Sequence, residues 1–121
     1  MIHEIPLERR TLHGHFSRDL EPVLAVDPGD SVVFRALMAG WRWEPTHEFF
    51  ADKDPKLDDG HALVGPIEVH GARAGSTLAV TVEEVVAAGW GVTFGDGVAF
   101  GWTIRGGEAT DERGMTVAIE P

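Results

Sequence analysis

The sequence predicts a mainly β fold, a barrel- or sandwich-like module built from β-hairpins, and three observations carry that reading. Fifteen Gly and seven Pro punctuate the 121 residues, so uninterrupted stretches are short. The stretches between them are rich in Val, Thr, Ile and Phe, the residues that fit a pleated surface. Helical periodicity is missing over any long window. Within 77–85, instead, Leu78, Val80 and Val82 fall on one face and Thr77, Ala79, Thr81 and Glu83 on the other, the period of two expected of a half-buried strand.

Taken in order, strands are expected at 2–7, 23–26, 31–37, 67–69, 77–85, 91–94, 99–104 and 115–119. The second and third are joined by Asp27-Pro28-Gly29-Asp30, where Pro presets φ and Gly accepts the positive φ that follows, so a tight reversal and a hairpin are expected. A looser echo follows. Pro66-Ile67-Glu68-Val69 leads through Gly71 to Gly75 into Ser76-Thr77-Leu78-Ala79-Val80, a second strand, Gly-bearing turn and strand. Between the two echoes lies a different segment, at about residues 38–61, in which Trp41, Trp43, Phe49, Phe50, His47 and His61 are mixed with acids. A connection this long inside a compact domain binds something, docks on a partner or is disordered, and its aromatic content argues against disorder. Gly95-Asp96-Gly97 reads most simply as a hairpin turn.

The whole chain, 1–121, reads as a single domain long enough to bury a core without staples. Staples are in any case excluded, since there is no Cys, and a metal would have to use His, Asp, Glu or backbone oxygen. With 10 Lys+Arg against 20 Asp+Glu, the formal net charge of −10 argues against a surface that tracks phosphates, so no nucleic-acid partner is expected. No membrane partner is expected either: the most apolar stretch, 78–94, is interrupted by Glu83-Glu84 and by Gly89 and Gly91, which a bilayer span would not tolerate. The first residues lack the basic-then-apolar layout of a signal peptide. A cytoplasmic protein is the expectation.

Besides Gly95-Asp96-Gly97, a turn whose carboxylate could also face a pocket, two clusters could carry chemistry. His13 and His15, two apart in an extended segment, share a face and could grip one metal. Asp58-Asp59-Gly60-His61 places carboxylates and an imidazole across a Gly turn, an arrangement that binds a divalent cation or acts as an acid/base pair. The plain alternatives are solvated histidines in the first case and a turn in the second. His61, flanked by acids and an apolar 62–64 run, is expected to be partly buried and tuned. Phosphate-cradling loops and nucleophile elbows are absent from the sequence.

Residues 13–35, from His13-Gly14-His15-Phe16 through Asp27-Pro28-Gly29-Asp30 to Arg35, and 59–78, from Asp59-Gly60-His61 through Gly65-Pro66-Ile67-Glu68-Val69-His70-Gly71 to Leu78, resemble the amino-terminal part of the acetamidase/formamidase family. The likeness covers most of 13–91, and Gly101-Trp102-Thr103 extends it. It implies a β-rich enzyme that hydrolyses a short-chain amide, formamide or acetamide, to a carboxylate and ammonia, using a divalent metal with zinc as the candidate. In that scheme His61 and Asp59 are catalytic, His61, Asp58, His13 and His15 hold the metal, and Trp41, Trp43 and Phe49 wall the small-substrate pocket. Family members are much longer than this chain, which implies either a missing C-terminal half or a homo-oligomer that covers the exposed surface. The rival reading is a noncatalytic β module that binds a small molecule or self-associates.

Overall fold

A computed structural model describes residues 1–44, 47–48 and 52–120. The fold is mainly β, as the sequence predicts. In chain order the strands are β1 (Ile2–Ile5), β2 (Leu12–His13), β3 (Leu24–Val26), β4 (Ser31–Phe34), β5 (Arg42–Glu44), β6 (His47–Glu48), β7 (Leu63–Val64), β8 (Ile67–Val69), β9 (Trp90–Gly95), β10 (Val98–Arg105), β11 (Glu108–Asp111) and β12 (Thr116–Ala118), with one short 3-10 turn at Arg9–Thr11. The sheets are small and open. Among the described residues none closes into a barrel. No helix among them is long and apolar enough to cross a membrane.

The chain divides into two compact units, one of Met1–Trp43 and His47–Leu78, the other built mainly on Ala79–Pro121. The first is assembled from pairs distant in sequence. β1 runs parallel to β4 from Ile2↔Ser31 to Ile5↔Phe34, β3 runs parallel to β8 from Leu24↔Ile67 to Val26↔Val69, and β2 is antiparallel to β7. Leu12, Leu37 and Trp41 form its buried cluster, with Leu7, Ala62 and Val64 packed against it. Removing this apolar surface from water is what holds such short strands in place.

The hairpin expected across 23–37 does not form, although its turn does. The Asp30 N–H donates to the Asp27 carbonyl at 3.1 Å, and Gly29 takes φ 95, but β3 and β4 then pair with different partners. The two acids of the turn explain the divergence. Asp30 accepts from the Met1 ammonium at 2.7 Å and from the His3 ring at 2.8 Å, which draws β4 beside β1. Asp27 accepts from the His70 ring at 2.8 Å, which draws β3 beside β8. The Met1 ammonium first, then His3, holds the Asp30 carboxyl well below the usual carboxylate range, because both hydrogen bonds favour the charged form.

The second expected hairpin is corrected more completely. Turns close at Val69–Ala72 and Arg73–Ser76, with Gly71 and Gly75 at positive φ, yet 77–85 falls in no strand. Leu78, Val80 and Val82 are 59%, 78% and 73% exposed. Alternation sets which residues would share a face; it cannot supply the neighbouring strand that buries them.

The second unit is a four-stranded antiparallel meander, in the order β12-β11-β10-β9. Its first two loops are the two-residue kind that match strand twist. Asp96 and Gly97 take φ 48 and 76, and Gly106 and Gly107 take φ 57 and 80, the positive values a type I′ hairpin requires. The plain turn reading of Gly95-Asp96-Gly97 therefore holds. β11, which the sequence reading left out, is short and acidic; β10 and β12 flank it on both sides.

Candidate functional site

The two clusters singled out in the sequence meet. The Gly60 N–H donates to the Gly14 carbonyl at 2.9 Å, and the Gly14 N–H donates to Asp58 Oδ1 at 3.1 Å, so His13-Gly14-His15 lies along Asp58-Asp59-Gly60-His61. Both glycines are required by the closeness of this approach. A Cβ on Gly14 would overlap the Asp58 backbone, and one on Gly60 would overlap the Gly14 carbonyl oxygen. The Gly60 carbonyl is fixed as well, accepting from the Trp41 indole at 3.0 Å.

Trp41 is central to this arrangement. It is 1% exposed and sits at φ 64, a left-handed conformation that a bulky residue adopts only where its surroundings impose it. Here the imposition is visible: a tight turn in which the Trp41 N–H bonds the Met38 carbonyl and the Met38 N–H bonds the Arg42 carbonyl, both at 2.8 Å. The Arg9 guanidinium and the Lys53 ammonium lie 5.6 and 5.8 Å from the ring centroid, within reach of its negative face.

Asp58, read from the sequence as a ligand, is buried at 4% exposure and fully engaged. It pairs with Arg9, accepts from the Gly14 N–H, and accepts from the Asp54 N–H at 2.8 Å. A metal would have to displace these partners. Asp54 in turn caps the same turn, taking the N–H groups of Lys56 and Leu57; those bonds, led by Leu57, lower its pKa.

The histidines differ from one another. His13, on β2, donates Nδ1–H to the Gly65 carbonyl at 3.1 Å, and His15 donates Nδ1–H to the Leu57 carbonyl at 2.7 Å. In this tautomer each ring presents Nε2 as a lone pair, the state in which imidazole binds a metal or takes a proton. Burial pushes the His13 pKa down and the neighbouring His15 adds to it, against an opposing pull from the Gly65 carbonyl and Asp58. His61 is exposed rather than partly buried, and so is Asp59. Among the described residues no group of three or more His, Asp or Glu side chains converges as a metal cage. Trp41 belongs to the core, Trp43 is 42% exposed on β5, and Phe49 lies outside the described residues.

Sequence reasoning missed Arg9, Gly65 and Leu57, the groups that hold Asp58, His13 and His15. Arg9 carried a signal only as half of Arg9-Arg10, and two backbone carbonyls carry none. A separate open groove of about 470 Å³ lies on the meander, where Trp90, Thr103, Arg105, Thr110 and Glu112 surround Gly101.

No curated protein and no solved structure matches the chain. A family model does, described as Acetamidase/Formamidase family, over residues 3–117, a span that includes both echoes, the His13–His61 cluster and the meander. The chain belongs to the acetamidase/formamidase family.

Proposed function

We propose that the cluster at His13, His15, Asp59 and His61 serves the hydrolysis of a short-chain amide, formamide or acetamide, to a carboxylate and ammonia. The observation that carries this reading is the pair of anchored imidazoles. Each has its Nδ1–H fixed by a backbone carbonyl, so its orientation and tautomer are set before any substrate arrives. His13, whose pKa burial lowers, keeps an Nε2 lone pair suited to take a proton from an attacking water. His61 and Asp59, exposed and joined to the same stretch of chain through the Gly14–Gly60 bond, are the groups assigned to return a proton to the leaving nitrogen. The family's divalent cation, zinc as candidate, would supply Lewis acidity to the amide carbonyl and would find a ligand in the His15 Nε2; the single Nε2 lone pair of His13 serves as ligand or as base but not both, and here it is assigned as base. One nitrogen is a partial set for a tetrahedral ion. The absence of Cys fits a reducing cytoplasm as the setting.

The groove beside Trp90 favours a second reading, a noncatalytic β module that binds a small molecule there. Metal content of the purified protein and ammonia release from formamide and acetamide, with and without chelator, separate the two. Chelator-sensitive release that His13→Gln reduces by at least about tenfold, somewhat below the usual loss for an acid–base group, supports the amidase reading. Unchanged release in His13→Gln removes the role assigned to His13, and metal-free protein with no release leaves the binding module.

A further inference from the structure

Among the described residues, the segment after Ser76 carries the densest row of exposed aliphatic side chains. Five large aliphatic residues within nine positions, Leu78, Val80, Val82, Val85 and Val86, are each 59% to 82% exposed, and among the described residues no strand pairs with them. Single exposed aliphatics are ordinary; a contiguous row of them on a β-patterned segment marks an interaction surface.

The sequence of this row says what fits it. Leu78-Ala79-Val80-Thr81-Val82 keeps the same alternation when reversed, a branched aliphatic at 78, 80 and 82 and a small residue at 79 and 81. If two copies pair antiparallel about a two-fold axis through Val80, Val80 faces Val80, Leu78 faces Val82, and Ala79 faces Thr81. Aliphatic meets aliphatic on one face at every position. Continuing outward, Thr77 faces Glu83 and Ser76 faces Glu84, so each carboxylate meets a hydroxyl. A parallel in-register pairing instead sets Glu83 on Glu83 and Glu84 on Glu84, and like charges directly opposite are destabilising. A shift of one residue turns the aliphatic face of one copy against the polar face of the other.

We infer that 76–84 is a self-complementary edge which orders as a strand by pairing antiparallel with the same segment of a second copy, making the protein a two-fold symmetric dimer. The surface is the same on both partners, as closed dimers require, and antiparallel pairing of the two segments supplies its main-chain bonds. With a formal charge of −10 on each chain, the two copies repel at long range, so association strengthens as salt is raised. The inference does not depend on the amide chemistry.

The absence of native Cys gives a direct test. In the inferred register the two Val80 Cβ atoms are neighbours across the axis, whereas the two Thr77 residues are six positions out of register, about 20 Å apart. Mild oxidation should therefore link Val80→Cys into a covalent species of twice the 13.1 kDa chain mass and leave Thr77→Cys unlinked. Light scattering at micromolar concentration should give the wild-type chain the dimer mass and Val80→Lys the single-chain mass, with a far-UV spectrum that loses only the strand contribution of 76–84 because the Val80 side chain, 78% exposed, lies outside the core of the single chain. A monomeric wild-type protein overturns the inference and reserves the segment for a different polypeptide. Equal linking of both cysteine variants overturns the register, and a dimer that survives Val80→Lys overturns the surface.

Discussion

The two units use the same device in opposite ways. Each contains a buried aspartate that binds an arginine and two backbone N–H groups. In the meander, Asp111 takes the N–H groups of Arg113 and Met115 at 2.9 and 2.8 Å and the Arg113 side chain at 2.6 to 2.7 Å. All of these partners lie within four residues. Asp58 takes Gly14, Asp54 and Arg9, the last of them 49 residues away. Asp111 therefore shapes a turn that the chain reaches locally, whereas Asp58 holds together segments that must first find each other. Closing long loops before contacts reward them is the slower and more fragile way to build.

If that contrast is right, damage at the Gly14–Gly60 contact should exceed anything achievable in the meander. Gly60→Ala forces a Cβ into the Gly14 carbonyl oxygen, and neither backbone can give way without loosening the Trp41–Gly60 bond. A loss of about 3 kcal/mol is expected, at the upper end for overpacking. Gly95→Ala is the control, with nothing within 4 Å of its Cβ. Region-resolved hydrogen exchange is the appropriate readout, because a chain of two units need not unfold in one step. Equal protection in both variants would mean that the first unit is as plastic as the second.

Asp58→Ala comes next. It leaves Arg9 and two N–H groups without their acceptor, and breaking a buried pair is expensive for the partner left behind. Because Arg9 is 35% exposed and can turn to water, the expected loss is about 2 to 3 kcal/mol, below the full range for a buried pair. Asp111→Ala should destabilise less and only locally, leaving exchange in the first unit unchanged. Should the two variants prove equal, sequence separation is not what sets the importance of the pair.

The same contrast governs what could be read in the sequence. The first hairpin of the meander was legible: Gly95-Asp96-Gly97 announced its turn, and the strands on either side of it were expected within a residue or two, whereas β11 was not expected. Both hairpins expected outside the meander failed, because Pro28-Gly29 and the glycines at 71 and 75 specify reversals without specifying partners. The partners of β3 and β4 were chosen by His70, His3 and the amino terminus, side chains that no local window connects. The candidate site was legible by residue type but not by the contacts that hold it. His13 and His15 were marked by their spacing, yet the carbonyls that orient them belong to Gly65 and Leu57. The burial of Asp58 and its arginine partner leave no trace in its own neighbourhood of the sequence.

A smaller effect sharpens the comparison from the meander's side. Asp96 stands at φ 48, a region that Asp tolerates and β-branched residues avoid. Asp96→Val should cost about 1 kcal/mol, the lower end for forcing such a residue into the left-handed region, while Asp96→Asn should be neutral. Exchange should quicken only around β9 and β10. Spread into β11 and β12 would show that the meander is one cooperative block.

The smallest expected effect is a change of slope, and it bears on the site itself. Burial holds the His13 pKa below its ordinary 6.5, so between those two values the unfolded chain binds more protons than the folded one, and stability rises with pH. Acidification through 6.5 toward the folded value therefore erodes the contribution of His13. His70 acts with the opposite sign. Its bond to Asp27 raises its pKa above 6.5, so its contribution is full below that value and is lost as pH climbs through the folded pKa. Asp30 and Asp54, lowered from 3.8, act only at more acid pH. His13→Gln should flatten the fall in urea midpoint that begins as pH drops below 6.5 and leave the alkaline side unchanged, while His70→Gln should do the reverse. A variant at His13 that still loses stability as steeply as wild type would show that this ring is not held neutral by the fold, and the case for it as a proton acceptor would go with it.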